Sequence, residues 1–249
     1  MNDLSKEIKN YLKSTHTDFK RFKMNYDKKE INQINTFNLN KLTNHASFSY
    51  FGSYEKLTNI KPFLSELGEN DVKLVGLMEK LIIKIIKRVL SGYNMKHFWI
   101  DIRASPPNNA FDIPRWHKDG SYFNPNEQLT SKYITVLKGP GTLLIKGTKR
   151  VNTIYNEHNQ KNKNEIHTNT TIEDQIKICE KYRPILAKAL SEEKIIQLKN
   201  NQGVVLYAGI PADKCAIHSE PKIDNYRLFI SILPGSEENI TRLQKKWGK

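Results

Sequence analysis

The sequence predicts an α+β fold that is mainly β, a sandwich or barrel of short strands with helices packed on it. Two observations predict this. The longest apolar region, VKLVGLMEKLIIKIIKRVL at 72–90, carries apolar residues at spacings of three and four with Lys80, Lys84, Lys87 and Arg88 among them, the pattern of an amphipathic core helix. Beyond residue 96, short β-branched and aromatic runs alternate with Gly, Pro and Asn, the pattern of strands and turns. A chain of 249 residues can bury a sizeable core without staples.

Taken in order, residues 3–35 are polar and helix-tolerant, with weak apolar spacing at Leu4, Ile8 and Leu12. The charge run DKKE at 27–30 reads as a solvated face. NHASFSYFGSYEKL at 44–57 reads as a strand or ordered loop. The long helix is expected from about Asp71 to Ser91, capped by Asn70 or Asp71 and stopped by Gly92. Strands are expected at 97–104, 132–139, 141–147, 194–199, 203–209 and 226–235. The polar, Asn-rich residues 148–170 read as a loop, and Thr171 with Asp174 three positions on opens a helix to about Leu190. The organisation is therefore a helical N-terminal region, 1–96, supporting a core at 97–249 with an insertion at 148–192. That insertion falls between strands, where it can serve as a lid or recognition element or as a bland surface excursion.

The formal charge of +14 suits an anionic partner, but the cationic residues are scattered from Lys6 to Lys249 and Lys exceeds Arg. A generally solvated basic surface fits better than a nucleic-acid groove, so nucleic acid is not the favoured partner. Cys179 and Cys215 form no CxxC pair, and no apolar leader follows the first Met. The expected setting is cytoplasmic and reducing, with no disulfide and no membrane contact. Oligomeric state is not legible.

The chemistry-bearing stretch is IPRWHKDGSYF at 113–123. If it is extended, the two-residue period sends His117 and Asp119 to one face, where imidazole and carboxylate can converge on a cation. The best third ligand is His218 in CAIHSEP, far downstream, and a jelly roll is a fold that unites early and late strands. Two imidazoles and one carboxylate on one face leave positions open, which suits Fe(II) binding a cosubstrate and dioxygen. In YRLFIS, Arg227, Phe229 and Ser231 share a face, so a guanidinium points inward with a hydroxyl and calls for an anionic ligand or an internal acidic partner. His16, His45, His97, His158 and His167 lie in polar or irregular contexts and read as ordinary hydrogen-bonding residues.

HxD at 117–119, the distal His218 and Arg227 nine positions later resemble the Fe(II)/2-oxoglutarate-dependent dioxygenases of jelly-roll, or double-stranded β-helix, fold. The resemblance covers roughly 97–235. Tyr133 and Ser231 occupy places matching the prolyl-hydroxylase-like branch, GPGTLLI resembles its Gly-Gly-x-Leu turn with Pro140 as a departure, and TVLKGPGT and HSEP resemble an uncharacterised family of presumed dioxygenases. What the resemblance implies is iron held by His117, Asp119 and His218, with the far carboxylate of 2-oxoglutarate held by Arg227, Tyr133 and Ser231. It also implies O2 as cosubstrate and hydroxylation, or demethylation through it, of an unidentified substrate, with succinate and CO2 released. Asp119 matters here, because halogenases of the family carry a small residue in its place. Lys146 is a weaker candidate for carboxylate binding. Trp116, Tyr122 and Phe123 can line a pocket or fill the core, and Arg115 and Lys118 can meet an anionic substrate or stand solvated. The rival classes are a non-oxidative or inactive jelly-roll metal protein and a basic binding module reusing the fold.

Overall fold

The computed structural model describes residues 3–14, 18–123, 129–167, 170–209 and 211–248; His16 lies outside them. In chain order the elements are α1 (Leu4–Lys13), β1 (Phe19–Lys23), α2 (Lys28–Thr36), β2 (Ala46–Ser53), α3 (Ile60–Glu66), α4 (Val72–Tyr93), β3 (His97–Ser105), β4 (Thr130–Lys138) and β5 (Leu143–Ile145). They continue with α5 (Lys149–Glu165), α6 (Ile172–Ala189), β6 (Ile195–Gln197), β7 (Gln202–Ala208), β8 (Ile217–Ser219), β9 (Arg227–Gly235) and α7 (Glu237–Trp247). All strand pairings among them are antiparallel. One sheet runs β1-β7-β4-β9-β3-β2, the other β6-β5-β8.

Three layers result, because the central strands are buried on both faces. On one side of the large sheet Tyr133, Val205, Leu228, Ile230 and Ile232 pack with Ile82, Ile86 and Val89 of α4 and Ile8 of α1. On the other, Ile134, Val136, Val204, Leu206 and Phe229 pack with Leu144, Leu198 and Ala216 from the small sheet and its approaches. Side chains that alternate along β4, β7 and β9 thus serve two different cores, one beneath helices and one between sheets.

Helix α4 begins at Asp71, whose side chain accepts from Leu74 N at 2.7 Å. It ends two residues later than Gly92 suggests, at Asn94, which takes the left-handed conformation with φ 54°. Gly92 serves instead as a contact point: a Cβ there would stand 2.8 Å from Ile8 Cβ, so it lets α1 lie close. Asp27 and Glu30 of the charge run are more than a solvated face, since they form a capping box that starts α2.

The reading of 148–170 as a loop is corrected. Thr148 caps α5, and Val151 and Tyr155, four apart, place one stripe against Trp116, Ile145, Leu190 and Ile217. No other residue of α5 is fully buried, which is why its polar composition disguised it. Thr171 caps α6 through Asp174 N at 3.1 Å, as expected. The N-terminal region also supplies two strands to the large sheet, β1 at one edge and β2 at the other. Among the described residues no helix is long and apolar enough to cross a membrane.

Candidate metal centre

His117 and His218 are joined by the backbone before their side chains meet. The two residues exchange hydrogen bonds, His117 N to His218 O at 2.9 Å and His218 N to His117 O at 3.0 Å, as an antiparallel bridge beside β8. Paired residues project to the same side, so the ring centroids lie 4.2 Å apart. Each Nδ1–H donates to a backbone carbonyl two residues back, His117 to Arg115 O at 2.9 Å and His218 to Ala216 O at 3.2 Å. A carbonyl can only accept, so the tautomer is fixed and both Nε2 atoms keep a lone pair for a cation.

Asp119 completes the set two residues beyond His117, its Oδ2 3.5 Å from His218 Nε2. Among the described residues these three form a group whose ligand atoms all lie within 4.8 Å of one another. Burial pushes the Asp119 carboxyl up, but the Lys132 ammonium beside it outweighs that and holds the carboxyl well below the carboxylate range. Burial and the neighbouring His117 push the His218 imidazole down to about 3, so it stands neutral, as a ligand must. Two imidazoles and one carboxylate fit a divalent cation with open positions.

Lys132 is the neighbour that sequence reasoning missed. Its ammonium, almost fully buried, forms an ion pair with Asp119, 2.6 Å from Oδ2. It also donates to the Tyr122 hydroxyl at 3.1 Å. Strand parity could have found it. Lys132 and Ile134 on β4 line the site cavity, of about 140 Å³, together with the three ligand residues, Arg227 and Phe229.

The same parity overturns Tyr133 as a cosubstrate contact. It points through the sheet to the helix side, completely buried, where its hydroxyl donates to Met24 Sδ at 2.9 Å. Gly203 makes the room, since a Cβ there would stand 1.9 Å from the Tyr133 hydroxyl oxygen. Ser231 is also not brought in. It shares the inward face with Arg227 but lies four residues on, about 13 Å along a strand, opposite Ile134 and Asp101 and outside the cavity lining. Lys146 lies in a different cavity, with Asp18 and β1.

Arg227 is where the sequence places it, 5% exposed at the start of β9. Its Nε donates to Pro140 O at 2.9 Å, a terminal nitrogen donates to Thr142 Oγ1 at 3.2 Å, and its guanidinium carbon sits 4.8 Å from the Phe229 ring centroid. Thr142, not Ser231, supplies the hydroxyl. Burial pushes the guanidinium down to about 10, and the Glu220 carboxylate only partly offsets this.

The flanking residues divide. Tyr122 lines the cavity, Trp116 packs beneath α5, and Phe123 packs with Leu233, Ile240 and Leu243. Arg115 pairs with Glu220 at 2.9 Å. Lys118 points away from the ligands, to Asn152 Oδ1 at 2.8 Å and Ala212 O at 2.7 Å, while its amide donates to the Tyr155 hydroxyl at 3.0 Å. Helix α5 therefore braces the turn between two ligands.

No protein-family model and no curated protein matches the chain. Among solved structures it is similar to the Kdo hydroxylase KdoO, described as a non-heme Fe(II) alphaketoglutarate dependent dioxygenase, with 10% identity over 98% of this chain and 87% of that one and a TM-score of 0.46. It is similar also to a prolyl hydroxylase from Trichoplax adhaerens, with 10% identity over 96% and 92% and a TM-score of 0.43. A third is a Pseudomonas putida prolyl-4-hydroxylase, with 8% identity over 93% and 98% and a TM-score of 0.38. These likenesses are distant, and the functional reading rests on this chain's own side chains.

Proposed function

We propose that the chain is an Fe(II)- and 2-oxoglutarate-dependent dioxygenase on a jelly-roll, or double-stranded β-helix, core. One observation carries the reading: a single cavity holds the convergent His117, Asp119 and His218 and, lining it as well, a buried Arg227. Among the described residues Arg227 has a carbonyl, a hydroxyl and a ring as partners and no ion pair. A metal protein without oxidative chemistry has no need of that guanidinium, whereas a dicarboxylate that also binds a metal does.

His117, Asp119 and His218 hold the iron. Arg227, oriented by Pro140 O and Thr142, receives the far carboxylate of 2-oxoglutarate, and Lys132 balances Asp119 until a dication takes over that charge. When bound, iron and the 2-oxo acid supply the activation of dioxygen: one oxygen atom enters a substrate C–H bond as hydroxyl, the other enters succinate, and CO2 leaves. The protein's part is to fix both ligand imidazoles in the metal-binding tautomer and to orient the acid.

Anaerobic titration of the protein with Fe(II) and 2-oxoglutarate tests the class through the weak visible charge-transfer band. The band is expected in the wild type and absent in His117→Ala and Asp119→Ala. A wild type without it, or a variant that retains it, overturns the reading.

A further inference from the structure

We infer that the substrate is an organic acid with an apolar body, its anionic group anchored by Arg103 in the cavity next to the metal centre; this deepens the dioxygenase reading and rests on it. A cavity of about 500 Å³ adjoins the site cavity, the two sharing Arg103, Arg115, Glu220 and Arg227. The smaller one has room for a metal ion and a small acid, so a substrate belongs in the larger.

The larger cavity has three guanidiniums in its wall and one carboxylate, Glu220. Glu220 is paired with Arg115, and Arg227 is committed to the cosubstrate. Arg103 remains. It stands on β3 directly opposite Phe229 of β9, its guanidinium carbon 5.1 Å from the ring centroid. Its Nε donates to Asp101 Oδ2 at 2.6 Å, which steadies the head from behind and leaves the terminal nitrogens as a fork of donors.

Charge points the same way. The site cavity is lined by Arg103, Arg115, Lys132 and Arg227 against Asp119 and Glu220. A divalent metal and a dianionic cosubstrate cancel each other, so a positive excess persists even when Asp101 is counted, and an anionic substrate group balances it. Pro106, Pro107, Phe111 and Ile223 supply apolar wall for the rest of the molecule. The cavity of about 280 Å³ against α5 and α6 fits less well, sharing only Arg115 and His117 with the site.

Protein loaded with Mn(II) and 2-oxoglutarate, which binds without turnover, is titrated calorimetrically with phenylacetate, phenyl phosphate and the neutral phenylacetamide. At least one of the two anions is expected to bind saturably, with the amide about tenfold or more weaker, and Arg103→Gln to lower the anion's affinity about tenfold while 2-oxoglutarate affinity holds. Which anion binds tells a carboxylate substrate from a phosphate ester. An amide that binds as tightly, an Arg103→Gln variant with unchanged anion affinity, or neither anion binding to loaded protein overturns the inference. If Arg103→Gln does not fold, the comparison of anion with amide on the wild type decides. Failure of the wild type to bind 2-oxoglutarate at all is a different result, and it sinks the dioxygenase reading itself.

Discussion

Tyr133 and Lys132 are adjacent in sequence and serve opposite faces of one sheet, so a one-residue choice on β4 decides what the metal centre contains. Tyr133 spends its hydroxyl on Met24 under the helices. Tyr133→Phe is therefore expected to leave 2-oxoglutarate affinity unchanged and to cost about 1 kcal/mol of stability. Titration with the cosubstrate together with urea denaturation checks this, and a tenfold loss of cosubstrate affinity would return Tyr133 to the site. The sequence did point to 117, 119, 218 and 227 as residues facing one place, and the structure brings all four to one cavity, because the two-residue period and residue type suffice for that. It did not show Lys132, Thr142 or Arg103, since each matters through a neighbour on another segment of the chain.

Helix α5 illustrates what an element contributes beyond its own packing. Its Tyr155 accepts the Lys118 amide hydrogen at 3.0 Å, between two candidate ligands, while its ring underlies the Lys118 ammonium at 4.9 Å. Tyr155→Phe removes the acceptor and leaves the amide unsatisfied in a part-buried place. Mn(II) affinity is expected to fall about tenfold, within the range for partners that orient metal ligands, with α5 helicity intact by circular dichroism. An unchanged affinity would mean that α5 is only a surface excursion. Its composition gave no hint of this, because a helix with two buried residues among seventeen has too narrow an apolar stripe to register against an Asn-rich background.

In the whole molecule, the candidate metal centre sits where two sheets close on each other, and three buried or half-buried ionisable groups meet there. Binding a dication to the folded state alone stabilises it by mass action, about 2.7 kcal/mol at a hundredfold excess over Kd, or about 5–10 °C in melting temperature for a chain of this size. Mn(II) with 2-oxoglutarate is expected to give that rise and EDTA to reverse it. In Lys132→Met the metal-free protein has an uncompensated buried carboxylate, so it is expected to melt lower than the wild type and to gain more from Mn(II). Differential scanning calorimetry reads all of these, and a wild type indifferent to Mn(II) would remove the metal centre from the account.

By itself the sequence determined six of the strands beyond residue 96, the long core helix, the helix opened by Thr171 and the candidate ligand types, because periodicity, capping residues and side-chain chemistry are local. Only the tertiary structure decided which side of each strand faces the cavity, that His117 and His218 bridge through their backbones, and that α5 braces the ligand turn. Those facts depend on register between strands far apart in the chain, and a one-residue shift in register reverses every side chain it carries.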